Sequence, residues 1–312
     1  MAPSTAPSGS VVSQSHVLSD APDAPDAPVL IFDSGVGGLS VAAEIRRQWP
    51  TLPLAYVCDN AALPYGTKAD DWLVTRIAQV CAAAVEASGA RALVVACNTA
   101  STLALQALRE TLSIPVIGTV PAIKPAALLA RSRQSAVRRA QGEPPVFGLL
   151  ATSATVRRAY TEQLIHDFAA DCQVIRVAAD PLVAEAERRL RGEAARPEVV
   201  AASLADLAAV PGLEVVILGC THFPLLSADI ASALGRNAPG EPPLALVDSG
   251  AAIARRVAHV LELPARTAQP TLAQDEVSDA GIALATDACQ PGLATALESQ
   301  GFAAPRGLAL GP

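Results

Sequence analysis

Aromatic residues make up only 3% of this 312-residue chain, lysine occurs only at Lys68 and Lys124, and methionine occurs once. No apolar run approaches the roughly 20 residues that a membrane-spanning helix needs, so no membrane contact is expected. Cysteine occurs at 58, 81, 97, 172, 220 and 289, never as C-x-x-C and never in a Cys/His cluster with metal-ligand spacing. That spacing points to reduced thiols, with no disulfide framework and no metal. The arginines are scattered (Arg46-Arg47, Arg138-Arg139, Arg157-Arg158, Arg188-Arg189) under a formal charge of −7, so no basic stripe calls for a nucleic acid partner. Neither lysine has a Schiff-base setting, so a pyridoxal enzyme is not expected, and no other cofactor is called for. The basic start and continuous apolar stretch of a secretory signal are also missing. The expectation is a cytoplasmic protein with a small-molecule substrate.

What the chain does have is alanine and valine, within a hydrophobic content of 51%, enough for two modest cores. Residues 1–27 are rich in Ala, Pro, Ser and Asp and read as a disordered leader. Beyond them, strands are expected at 29–32, 54–58, 92–97 and 115–118, alternating with helices near 36–46, 70–87, 99–111 and from 121. This is the βαβ rhythm of a parallel sheet. After a polar stretch over 131–145 the rhythm restarts, with strands at 146–151, 173–177 and 215–218 and helices near 153–168, 182–190 and 198–209. The fold class is therefore α/β, with two pseudo-symmetric lobes, each a mainly parallel sheet flanked by helices, and an active site in the cleft between them.

Asp33-Ser34-Gly35 recurs as Asp248-Ser249-Gly250 behind a strand at 245–247, which suggests that the chain crosses back to complete the first lobe. The first lobe is thus expected to comprise 28–120 plus 246–265, and the second 121–245. The stretch 263–275 looks like a linker. A strand near 282–286 and a helix near 292–300 form a C-terminal segment, 266–312, packed on the first lobe.

Two cysteines stand at matched places, each ending an apolar run: Val94-Val95-Ala96-Cys97-Asn98-Thr99 and Val216-Ile217-Leu218-Gly219-Cys220-Thr221-His222. Carboxyl ends of parallel strands face the ligand crevice, so facing lobes would bring both thiols to one small molecule. Each is followed by polar residues expected to begin a helix, whose free N–H groups would draw a thiol pKa of about 8.5 toward neutrality. Cys58, Cys81, Cys172 and Cys289 lack this setting and read as packing residues.

Asp33 and Ser34 close the first strand ahead of Gly35-Val36-Gly37-Gly38. A dinucleotide loop is the competing reading, but Ser40 occupies the third glycine position and Asp33 stands where a pyrophosphate must approach. A carboxylate there better suits a substrate ammonium, or a base assisting Cys97. Pro64-Tyr65-Gly66-Thr67 reads as a turn whose amides help hold a carboxylate, or in which Tyr65 is only a loop anchor. Thr152 and Thr155 follow the first strand of the second lobe as Ser34 follows that of the first; helix capping alone explains one of them. His222 is placed to polarise Cys220 or to cap a helix, while His16, His166 and His259 have no polar surroundings.

Phe32-Asp-Ser-Gly-Val-Gly-Gly-Leu39, Asp59-Asn60, Pro64-Tyr-Gly66, Ala96-Cys-Asn-Thr-Ala-Ser101, Pro121-Ala-Ile-Lys-Pro125, Gly148-Leu-Leu-Ala-Thr152, Gly219-Cys-Thr-His-Phe-Pro224 and Val247-Asp-Ser249 together resemble the glutamate racemases, of the aspartate/glutamate racemase family, across about residues 29–302. The resemblance implies a cofactor-independent two-base racemase that interconverts L- and D-glutamate for peptidoglycan synthesis. By position it implies Cys97 and Cys220 as the acid/base thiols, with Asp33 and His222 as auxiliary groups. It further implies substrate binding by Asp33, Ser34, Tyr65, Gly66, Asn98, Thr99, Thr152, Thr155, Thr221 and His222, and a homodimer. Glu187 loosely matches a carboxylate that family members bring toward the second cysteine, with Glu185 close by. Three alternatives stay open: a racemase for aspartate or another small acid, a redox or metal-handling protein, and an interaction protein, since some glutamate racemases also bind DNA gyrase.

Overall fold

The computed structural model describes residues 26–235, 243–264 and 280–311. The expected leader up to residue 25, His16 within it, and the linker-like stretch from 265 onward lie outside the described residues. Ten strands are described: β1 (Val29–Asp33), β2 (Leu54–Cys58), β3 (Ala92–Val95), β4 (Val116–Gly118), β5 (Val146–Ala151), β6 (Gln173–Ala178), β7 (Val215–Leu218), β8 (Ala245–Val247), β9 (Ile282–Ala285) and β10 (Arg306–Gly307). They form two sheets, in the orders β10-β9-β2-β1-β3-β4 and β6-β5-β7-β8. Every pairing is parallel.

The central strands explain the apolar runs. Each residue of β1 and of β5 is buried, because helices cover both faces of each sheet and leave no polar side for alternation. On the helix Leu39–Gln48, Leu39, Val41, Ala42 and Ile45 face the core while both arginines fall in the last turn, where cations suit the helix dipole. The helix Asp70–Ser88 ends on Gly89 at φ 61°, a left-handed conformation that glycine adopts without a Cβ penalty.

Two sequence expectations are corrected. The strand at 245–247 does not return to the first sheet; β8 lies beside β7, with Val215 opposite Ala245. The crossing is made by the next helix, Gly250–Val260, whose Ile253, Ala254 and Val257 share a core with Leu39 and Ile45. Three apolar residues fit the edge of any parallel sheet, so pattern alone could not choose between the two. The helix expected over 153–168 is broken into Ser153–Val156 and Ala159–Ala169, with the Thr161 hydroxyl donating to the Thr155 carbonyl at 2.7 Å across the break. Within the polar stretch 131–145, the helix Ala136–Ala140 forms because the Ser135 hydroxyl accepts from the Arg138 amide at its start.

The lobes meet through buried polar contacts. The Val36 amide donates to Glu187 Oε1 (3.1 Å), the Thr221 hydroxyl to Asp33 Oδ2 (2.9 Å) and the Ser40 hydroxyl to the Thr221 carbonyl (2.9 Å). Nearer the surface, Arg158 forms an ion pair with Asp70 at 2.7 Å. Among the described residues no helix is long and apolar enough to cross a membrane.

Candidate active site

Cys97 follows β3 and immediately precedes the helix Asn98–Thr111; Cys220 follows β7 in the other sheet. Both line one interlobe cavity of about 270 Å³. Ser34, Tyr65, Gly66, Asn98, Thr99, Thr152, Thr155, Thr221 and His222 line it as well. Of the sequence candidates, Glu185 and Glu187 do not, and neither does Asp33. It is fully buried behind the wall, with Oδ1 accepting from the Gly35 amide (2.9 Å) and Oδ2 from the Thr221 hydroxyl. Burial raises its carboxyl above the usual range.

The surroundings of the two thiols differ. Cys97 Sγ lies 3.6 Å from the Ser34 hydroxyl and accepts from the Ala100 amide of its helix. The expected lowering of its pKa is reversed: burial, followed by the nearby Asp33 charge, pushes the thiol up to about 12. The helix amide and Ser34 act in the expected direction but are outweighed by loss of water. Cys220 is followed by the 3₁₀ turn Phe223–Leu226 rather than directly by an α-helix, and its sulfur lies 3.8 Å from His222 Nδ1. The other nitrogen of His222 lies 2.7 Å from Glu187 Oε1. Burial opposes charge on His222, yet its contacts with Cys220 and Glu187 raise its pKa well above the ordinary histidine value. Burial likewise opposes ionisation of Glu187, but the His222 contact and the Val36 amide hold its carboxyl below the usual range. Glu185 is turned elsewhere, accepting from the Arg196 amide at 2.8 Å and from its guanidinium.

The glycine-rich loop explains its own composition. A Cβ on Gly37 would lie 2.5 Å from both His222 Nδ1 and Thr221 Oγ1, and one on Gly35 would lie 2.5 Å from Glu187 Oε1. The space that a dinucleotide phosphate would need is filled by the opposite lobe.

Sequence reasoning missed Ser153, Asp180 and Val183, all of which line the cavity. Asp180 receives the Ser153 amide at 3.1 Å and its hydroxyl at 3.2 Å. The signal was available: Asp180 follows β6 and precedes a proline-started helix, which is again the carboxyl end of a parallel strand. The lining contains no lysine or arginine, so apart from His222 an anionic ligand meets neutral donors. The Asn98 carboxamide oxygen, an acceptor, is buried without a hydrogen-bond partner. Among the described residues no group of three or more His, Cys, Asp or Glu is disposed to hold a metal ion.

Comparison with known proteins agrees with this geometry. Residues 37–257 match the family model described as Asp/Glu/Hydantoin racemase. The glutamate racemase of Sphingopyxis alaskensis is 44% identical over 244 residues, covering 77% of this chain and 84% of that protein. Among solved structures, Escherichia coli glutamate racemase in complex with L-glutamate and the activator UDP-MurNAc-ala is 40% identical, with a TM-score of 0.77 over 91% of this chain and 99% of that one. A glutamate racemase isoform from Bacillus anthracis is 28% identical, with a TM-score of 0.70 over 92% and 99% of the two chains. Two parallel sheets with a cysteine from each at a shared cavity, and a family match spanning most of the fold, lead to one conclusion: the chain belongs to the Asp/Glu/hydantoin racemase family.

Proposed function

We propose that this chain interconverts L- and D-glutamate by passing a proton between Cys97 and Cys220 across the α-carbon, with no cofactor. The observation that carries the reading is that one thiol from each sheet lines the same cavity. The substrate named for the similar enzymes supplies the choice of glutamate. For D-glutamate, Cys97 as thiolate removes the α-proton while the Cys220 thiol donates to the opposite face; for L-glutamate the roles reverse. Removing that proton builds negative charge next to a carboxylate. With no lysine or arginine in the lining, the hydroxyls of Ser34, Thr99, Thr152 and Thr155, the Asn98 amide and the Tyr65–Gly66 backbone are the groups available to hold the carboxylates and that charge. An imidazolium at His222, balanced by Glu187, would offset negative charge at Cys220. Asp33 acts from behind the wall, by fixing Thr221.

The same reading makes the protein a cytoplasmic source of D-glutamate for peptidoglycan synthesis, and a homodimer. It divides the chain into two closing lobes at the bounds given above, except that the strand at 245–247 goes with the second. Circular dichroism of the purified protein with L-glutamate, no cofactor added, should decay to zero, and product formed in D₂O should carry deuterium at the α-carbon. Cys97→Ala and Cys220→Ala should each abolish turnover while leaving the fold intact. Full activity in either variant would reject the two-thiol scheme, and turnover of aspartate but not glutamate would reject the substrate.

A further inference from the structure

Asp59, directly after β2, is fully buried, and its carboxylate gathers four hydrogen bonds. Oδ2 accepts from the Tyr65 hydroxyl (2.8 Å) and Arg76 Nε (3.0 Å); Oδ1 accepts from Arg76 Nη2 (2.7 Å) and the Thr286 hydroxyl (2.8 Å). Three separate parts of the chain converge on it: the 3₁₀ turn Tyr65–Thr67, the helix Asp70–Ser88 and the residue after β9. Neither Asp59 nor Arg76 lines the cavity, but Tyr65 and Gly66 do. Burial, followed by the Asp59 charge, drives the Tyr65 phenol far above its ordinary pKa. Its hydroxyl therefore stays protonated and committed to Asp59, which leaves the ring and backbone of this turn to face a ligand.

We propose that Arg76 is a positioning residue for the substrate: its two-pronged grip on Asp59 fixes the turn that carries Tyr65 and Gly66, so that substrate affinity depends on it far more than proton transfer does. This rests on the glutamate reading above. A planar guanidinium satisfies both carboxylate oxygens at once, which a lysine ammonium cannot do. Removing the charge leaves Asp59 buried without its cation and frees the turn to shift.

The experiment measures KM and kcat for both enantiomers in Arg76→Gln and Arg76→Lys. Arg76→Gln should raise KM by about tenfold while lowering kcat less than about threefold, the loss expected when one charged hydrogen-bond partner is removed. Arg76→Lys should recover only part of it. Tyr65→Phe cuts one of the same contacts and keeps the ring, so its KM effect should add less than fully to that of Arg76→Gln. A purely structural role would lower the melting temperature and leave KM unchanged. Wild-type KM in a folded Arg76→Gln protein, a loss confined to kcat, or full additivity with Tyr65→Phe would overturn the inference. If Arg76→Gln does not fold, Tyr65→Phe alone decides by the same KM criterion. Wild-type protein inert toward glutamate would sink the proposed function and this role together; active wild type with an unmoved Arg76→Gln KM would sink only this role.

Discussion

Replacing Glu187 by glutamine keeps the shape of the side chain and removes its charge. The carboxylate reaches His222 Nε2 at 2.7 Å, and the opposite nitrogen of that ring lies 3.8 Å from Cys220 Sγ, so the change is felt at one thiol of the pair. A hydrogen bond to a charged group contributes about 1.5–3 kcal/mol, which at about 1.4 kcal/mol per decade corresponds to roughly a 10- to 150-fold loss in kcat/KM. Because mirror-image substrates have equal free energies, kcat/KM must fall equally in both directions. The isotope effects need not. In the proposed scheme Cys220 serves the transition state for breaking the C–H bond of L-glutamate, so α-deuterated L-glutamate should show a larger primary isotope effect in Glu187→Gln, and α-deuterated D-glutamate a smaller one. Circular dichroism progress curves with both deuterated substrates measure this. A larger effect on the D side, or a kcat/KM loss under about threefold, would refute the reasoning.

The same pair gives a pH signature in stability. The raised His222 pKa contributes stability that is complete below about 6.5 and fades as pH rises through the folded value; the lowered Glu187 pKa contributes stability that is complete above about 4.5 and fades as pH falls through its folded value. The melting-temperature gap between wild type and Glu187→Gln should therefore be widest between these two values and narrow toward alkaline pH.

Burial pushes the Cys97 thiol up to about 12, so kcat/KM for D-glutamate, where the proposed scheme uses it as base, should climb from about pH 7 to 9; a flat profile would contradict the assignment. Gly37→Ala should cost on the order of 10²-fold in kcat, because the new methyl displaces His222 and Thr221, with the fold retained by circular dichroism; near-wild-type kcat would show that their placement is not critical. The ion pair of Arg158 with Asp70 is partly exposed and contributes about 0.2–1 kcal/mol, so Asp70→Asn should change KM by less than about sixfold, and exchanging the two charges in a double variant should restore it.

Much of this site could be read from the chain because its chemistry sits at strand ends, where an apolar run stops abruptly at a polar residue. Cys97, Cys220, Ser34 and Thr152 all carry that mark, and all reach the cavity. Asp33 carries it too, yet its side chain turns to the opposite lobe, a direction set by Thr221 some 188 residues away. Glu187 could not be told from Glu185 by spacing, since both are buried on one helix; partners distant in sequence, His222 for one and Arg196 for the other, separate them. The thiol pKa of Cys97 was misjudged because a helix start is visible in sequence, whereas the depth of burial is set by the whole fold.

The glycine-rich loop presses against His222, Thr221 and Glu187, so each half of the molecule completes the other's share of the proposed proton-handling machinery. Parting the halves far enough to release product would break the Val36–Glu187 and Thr221–Asp33 links and dismantle the catalyst in the same movement. On the proposed two-thiol reading, an opened molecule could not catalyse. On the same reading, solvent entering with the next substrate would meet side chains that are not yet assembled, so a carbanion would form only after the halves had closed, without any separate gate.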